Sequence, residues 1–211
     1  MNSLAKQTLA GLRILLVLTV LTGVLYPLGV WVVSRIPGLQ ANAEGSQVTV
    51  DGQTVGSDLI GIDPVAKDAN HDPYFHTRPS AVAQDLDGDG SPDVLGPADA
   101  STSGASNKGG FNEDLVAAIK ERKETIAKRE GVEESQVPDD AVTASASGLD
   151  PDISPAYAEL QVPRVASENG LSQEQVRALV AENTDGRGAG FVGDPGVNVL
   201  KLNLAVQAAR R

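Results

Sequence analysis

Apolar residues crowd near the start of the chain and thin out afterwards. From Ile14 to Val33 no side chain carries a charge, and Arg13 and Arg35 bracket the run. A helix rises about 1.5 Å per residue, so a run of this length spans roughly the 30 Å hydrocarbon core of a bilayer. The pattern predicts a transmembrane helix over 14–33. After a Pro37-Gly38 turn the period changes to two. Val48, Val50 and Val55 flank Asp51-Gly52, which predicts a strand, a two-residue turn and a second strand within 46–60. Between 61 and 110 Asp, Gly, Ser, Ala and Pro dominate and large apolar residues are few, the pattern of a long, mostly irregular stretch.

The helical period then takes over. Leu115, Ile119 and Ile126 share one face of a predicted surface helix over 113–130. Asn112 is its N-cap, Glu113 and Asp114 fill the first turn, Lys128 and Arg129 the last, and Gly131 lies beyond. Val142 to Ser147 is a candidate strand. Ser154 followed by Pro155 marks another helix start, with Pro163 expected to interrupt or end it and Gly170 closing the segment. Ser172 and Gln175 form a capping box for a helix through about Glu182, its core face carrying Val176, Leu179 and Val180. Val197 to Val206 alternates at first and then fits a helix equally well, so its period does not decide. The fold class is α+β: one N-terminal transmembrane helix followed by a single mixed α/β extracytoplasmic domain, divided as 1–13 cytoplasmic, 14–33 spanning and 36–211 outside.

Orientation follows from charge. Residues 1–35 hold Lys6, Arg13 and Arg35 and no acid, whereas all 28 acids and the other 14 bases lie beyond, a formal charge of −14 there against −11 for the whole chain. Basic residues flanking a span tend to stay cytoplasmic, which places the N-terminus in and the bulk of the chain out. Ala41-Asn42-Ala43 resembles a processing site and offers the rival reading of a cleaved leader, but the apolar run exceeds the usual signal core. Within the span Thr19, Thr22, Gly23, Tyr26 and Pro27 fall on one stripe of small and weakly polar residues. Lipid gives helices no hydrophobic reason to associate, so such a stripe is where a partner helix approaches closely. The acidic balance argues against nucleic acid as a partner.

Catalytic chemistry is sparse. The chain has no cysteine, hence no disulfide and no thiolate chemistry. No Gly-x-Ser-x-Gly elbow occurs, and His71 and His76, the only histidines, sit in the irregular stretch where a structural role is commoner than catalysis. Gly188 to Gly193 spells a dinucleotide-binding pattern but runs into Asp194-Pro195-Gly196, where the phosphate-holding helix should begin, so it reads as turns. Asp85, Asp87 and Asp89 alternate as in the first half of a calcium loop, with Asp93 at the ninth position. Gly96 stands where the closing bidentate acid belongs, which leaves at most a weak calcium site and, as the alternative function, a free-standing membrane-anchored calcium-binding ectodomain.

Thr143 to Pro155 contains Ser145, Ser147, Gly148, Leu149, Asp150, Pro151, Ser154 and Pro155, a segment without evident catalytic logic. It resembles the signature of the KdpC family, the small single-span component of the Kdp-type potassium-transporting P-type ATPase. Further stretches resemble the same family: Leu21-Thr22-Gly23 with Tyr26-Pro27, Gln40-Ala41-Asn42, Leu59-Ile60-Gly61, Phe75 with Arg78-Pro79-Ser80-Ala81, Gln161-Val162 with Arg164-Val165-Ala166, and Val197 to Leu204. Ile62 stands where that family usually has glutamine, Asp152 where histidine is common, and the acidic loop at 85–93 looks like an addition. The resemblance implies an accessory, non-catalytic, single-pass plasma-membrane subunit of an ATP-driven potassium importer. Its implied partners are a channel-like subunit, an ATP-hydrolysing subunit and a small membrane peptide, with ATP and potassium handled by those partners. The family is described as a catalytic chaperone for nucleotide binding. With ATP cytosolic and the domain outside, assembly and stabilisation of the channel-like subunit is the more direct expectation.

Overall fold

The computed structural model describes residues 3–68, 70–86, 88 and 93–210. The chain falls into two compact units, Met1–Gln47 and Val48–Arg211.

The first unit is built on one helical run, Ser3–Ser34, long and apolar enough to cross a membrane. It comprises α1 (Ser3–Val20), a π-helical turn (Leu21–Leu25) and α2 (Tyr26–Ser34), followed by the short α3 (Gln40–Ala43). The π turn sits immediately ahead of Pro27. In a regular α-helix the proline ring would clash with the carbonyl of Gly23 and leave it unpaired. Widening the preceding turn, with the Tyr26 N–H donating to Leu21 O, relieves that crowding without breaking the helix. Thr19 and Thr22 donate their hydroxyls to Leu15 O (2.8 Å) and Leu18 O (2.7 Å), which satisfies both polar groups within the helix itself. Beyond the helix Arg35 lies 5.5 Å from the Trp31 ring centre and 2.6 Å from Glu44 Oε1.

The second unit opens with the hairpin of β1 (Gln47–Val50) and β2 (Gln53–Ser57). Asp51 and Gly52 both have positive φ, as a tight hairpin turn requires. The stretch from 58 to 112 contains only an isolated Ala83–Ala98 bridge among its described residues, as its composition predicts. α4 (Glu113–Glu130) has the expected caps: Asn112 accepts from Leu115 N, and Gly131 ends the helix in the left-handed region. Next come α5 (Asp139–Val142), β3 (Asp152–Ile153), α6 (Pro155–Asn169), α7 (Gln173–Glu182), β4 (Thr184–Asp185), β5 (Gly196–Asn198) and α8 (Val199–Ala209). β5 is central in an antiparallel sheet of order β3-β5-β4, pairing Ile153 and Thr184 with Val197 from either side.

Two expectations are corrected. Val142 to Ser147 is not a strand: Val142 ends α5, and the residues after it bond singly to several different segments rather than to one neighbouring strand. Pro163 does not stop α6, which runs through it to Asn169. Pro163 is on the exposed face, so the Glu159 carbonyl it deprives of a donor is not forced into the core. The ambiguous C-terminal run is settled as strand then helix, because Asn198 ends β5 and its side chain accepts from Lys201 N, capping α8.

The core lies where α6 meets α4 and α7, with α8 against α7. Phe75, Ile126, Val162, Val165, Val176, Val197 and Leu202 are fully buried there. Each such side chain stabilises the fold by roughly 1.5–3 kcal/mol relative to exposure. Phe75 comes from the irregular stretch, so that stretch is structural core as well as surface.

Candidate functional site

The signature segment is a crossing point of chain segments. Ser145 N–H donates to Pro79 O (2.9 Å), Ser80 Oγ to Gly148 O (2.8 Å), and Gly104 N–H to Ser147 O (2.8 Å). Ser103 Oγ also donates to Ser147 O at 3.0 Å, and Gly61 N–H to Leu149 O at 2.8 Å. Space decides two of the glycines. A Cβ on Gly61 would lie 2.3 Å from Asp150 O, and one on Gly148, whose φ is +74°, would lie 2.7 Å from both Gly104 O and a Val82 methyl. The two motifs also pair through charge: Arg78 Nη1 reaches Asp150 Oδ2 at 2.9 Å, and Nη2 donates to Thr143 O at 3.2 Å. Ser154 caps α6 by accepting from Tyr157 N (3.0 Å), while its own N–H and hydroxyl donate to Asp140. Pro155 holds the first helical turn.

Beside this crossing lies an open cleft of about 380 Å³ walled by Asp140, Asp150, Asp152, Asp185 and Asp194, with Arg78 as its cation. Burial, and then the charges of Asp150 and Asp185, push the Asp152 carboxyl above the usual carboxylate range. The arrangement raises the local concentration of cations. Among the described residues no three His, Cys, Asp or Glu side chains are placed to hold a metal ion. Of the predicted calcium ligands, Asp87 and Asp89 lie outside the described residues. Asp85 Oδ1 accepts from Gly88 N (2.7 Å) and Asp93 Oδ2 from Leu86 N (3.3 Å).

A third arrangement escaped the sequence reading. Among the described residues no strand lies beside loop 72–76, and most of its backbone groups are paired instead by side chains from α6 and α8, with Tyr74 N–H donating to Asp72 Oδ1 within the loop. Arg164 Nη1 donates to Asp72 O (2.7 Å) and Tyr74 O (2.8 Å), and Asn169 Nδ2 to Pro73 O (2.8 Å). Asn203 accepts from Phe75 N and donates to Phe75 O, both at 2.8 Å, while Gln161 does the same for His76 at 2.8 and 3.3 Å. Arg164 also grips Glu130 through Nε (3.0 Å) and Nη2 (3.1 Å), and Glu130 is only 1% exposed. Arg129 Nε meets the same carboxylate at 2.7 Å and its Nη2 donates to the Tyr157 hydroxyl at 2.9 Å. Gln161, Arg164 and Asn203 fall in motifs named above, but their function as a substitute strand depends on a loop and two helices far apart in sequence. Buried amides at regular helical positions were the available signal.

His76 belongs to this network as a buried side chain, and His71 stays at the surface, 3.3 Å from Glu168. Gly188 to Val192 forms a small bridged turn that leads into β5, not into a helix, consistent with the turn reading. On the apolar helix Gly23 has open space where a Cβ would be.

Fold and site describe a class: an apolar helix long enough to span a bilayer, joined to an α+β domain whose signature residues serve as internal joints. The family profile described as "KdpC: K+-transporting ATPase, c chain" matches residues 8–208. The chain is 46% identical over 209 residues to a protein named "Potassium-transporting ATPase KdpC subunit" from Kineococcus radiotolerans, covering 99% of this chain and 97% of that one. Proteins of the same name from Streptomyces avermitilis (45%, covering 96% and 94%) and Rhodopseudomonas palustris (43%, covering 97% and 99%) are similar over the same extent. The chain belongs to the KdpC family of potassium-transporting ATPase subunits.

Proposed function

We propose that this chain is an accessory subunit of a potassium-importing ATPase, and that it assembles and stabilises the pump while partner subunits handle ATP and potassium. The observation that carries this reading is the near full-length similarity to proteins named KdpC subunits, which extends through the apolar helix as well as the domain. In this reading residues 14–33 span the plasma membrane, 1–13 are cytoplasmic and 36–211 lie outside, following the basic flank of the span. The stripe of Thr19, Thr22, Gly23, Tyr26 and Pro27 packs against a helix of the channel-like subunit. Both threonine hydroxyls are already satisfied within their own helix, and the open space at Gly23 admits a second backbone closely. The acidic cleft concentrates cations near the domain without binding any one of them tightly.

The test is co-purification. Replacing Gly23 by Leu fills the approach and should weaken recovery of the pump's other membrane subunits from detergent extracts, whereas Leu28→Ala should not. Unchanged recovery with Gly23→Leu rules out that interface. Proteolysis of the domain in intact cells tests its orientation independently.

A further inference from the structure

Two segments of the irregular stretch meet at one imidazole. The His76 ring is 12% exposed; its Nδ1 faces Asp63 Oδ1 at 2.8 Å and its Nε2 faces Asp72 Oδ2 at 2.5 Å. Both carboxylates are themselves only 10% exposed. A carboxylate accepts and never donates, and a neutral imidazole donates from one nitrogen alone. Two contacts this short, to two carboxylates, therefore need a hydrogen on each ring nitrogen. A shared metal is ruled out by the same geometry, since the two carboxylates approach opposite nitrogens.

The charges around the ring agree. Asp63 comes from the 58–68 segment and Asp72 from the histidine's own loop. α4 contributes Arg129 and Glu130, and α6 contributes Arg164 and Tyr157. Burial raises the Tyr157 hydroxyl above its ordinary range, which keeps it neutral. Three carboxylates then face two guanidinium groups, and only a protonated His76 completes the balance. A neutral ring would leave one buried negative charge uncompensated, an arrangement that proteins seldom tolerate.

We propose that His76 is a proton-operated latch: its imidazolium ties the Asp63 arm, residues 62–66, to loop 72–78, and on loss of the proton the neutral ring keeps its hydrogen on Nε2 against the nearer Asp72, which leaves Asp63 only the 3.3 Å bond from Thr77 N–H and loosens that arm. The arm closes one side of a cleft of about 260 Å³ lined by Pro64, Val65, Leu95, Pro97 and Thr125, with His76 and Arg129 at its polar end. Release widens this cleft and leaves the core beneath it intact, because Gln161 and Asn203 continue to hold loop 72–76. Burial and the nearby Arg129 charge depress the His76 pKa, but the charge of Asp63 and the two carboxylate contacts outweigh them and raise it above its ordinary value. For Asp72, burial opposes ionisation, yet the His76 contact and the Arg164 charge hold its carboxyl down at about 2. The latch is accordingly complete below the ordinary histidine pKa and is lost as pH rises through the raised one.

The test uses the full-length chain in detergent micelles. The chain has two histidines and no cysteine. Ring signals are therefore assigned with His76→Gln, and a spin label on Val65→Cys reports the arm from an exposed position. The expected result is a His76 midpoint above the ordinary value of about 6.5, with the label becoming more mobile along the same curve. In His76→Gln the label should have pH-independent mobility, and Asp63→Asn should move both the histidine midpoint and the release to lower pH. A midpoint at or below 6.5, or a label that ignores the titration, overturns the proposal. Asp63→Asn keeps the test decisive if His76→Gln does not fold.

Discussion

Arg78 Nη1 lies 2.9 Å from Asp150 Oδ2, a pairing across 72 residues of sequence that joins two of the chain's motifs. Through Thr143 O the same guanidinium also reaches the end of α5, so one side chain holds three stretches in register. Replacing Arg78 by Ala should lower stability by about 1–2 kcal/mol, since hydrogen bonds to charged groups are lost and solvent screens part of the attraction. Arg78→Lys should recover less than half of this, because an ammonium cannot span both acceptors. Urea titration followed by circular dichroism of the full chain checks both values.

Two glycines separate backbone strain from crowding. Gly148 and Gly170 both have positive φ, but only Gly148 has atoms where a Cβ would go. Gly170→Ala should cost about 1–2 kcal/mol from the left-handed conformation alone. Gly148→Ala should cost about 1–3 kcal/mol more, because the new methyl group meets Gly104 O and Val82. Equal losses in denaturation would show that the crossing relaxes freely.

The amide of Asn203 stands in for a neighbouring strand at Phe75. Asn203→Leu should destabilise the domain by about 2–5 kcal/mol, since the buried N–H and C=O of Phe75 each lose their partner. Hydrogen exchange should speed up most at Phe75 and His76. Loss spread evenly over α6 and α8 would mean the loop is held by other contacts.

Asp152 is raised by burial and by Asp150 and Asp185. A carboxyl whose folded pKa is raised binds its proton more tightly when folded, so stability rises as pH falls through that value. Asp152→Asn should therefore stabilise the chain near neutral pH by a few tenths of a kcal/mol, with solvent screening limiting the gain. The difference from the unsubstituted chain should fade in acid, where Asp152 is already neutral. A gain that persists there would point to packing instead of charge.

How much was legible depended on range. The caps at Asn112, Ser154 and Ser172 and the hairpin at Asp51-Gly52 were readable because each rests on bonds between residues a few positions apart. Val142 to Ser147 misled because its backbone bonds to Pro79, Gly104 and Arg122, which lie far off in the sequence where no local pattern records them. Pro163 misled for the opposite reason: its local penalty is real, but its place on the exposed face lets the helix continue.

By itself, the sequence determined the apolar span, the separation of charge on either side of it, the helices with strong caps and the family signatures. These follow from composition and short-range geometry, which survive without knowledge of the fold. Tertiary structure alone decided that Phe75 is core, that Gln161, Arg164 and Asn203 pair a loop's backbone, and that His76 sits between two carboxylates. Burial raises the energetic stakes of polar groups, and which groups are buried together is fixed only when distant segments pack.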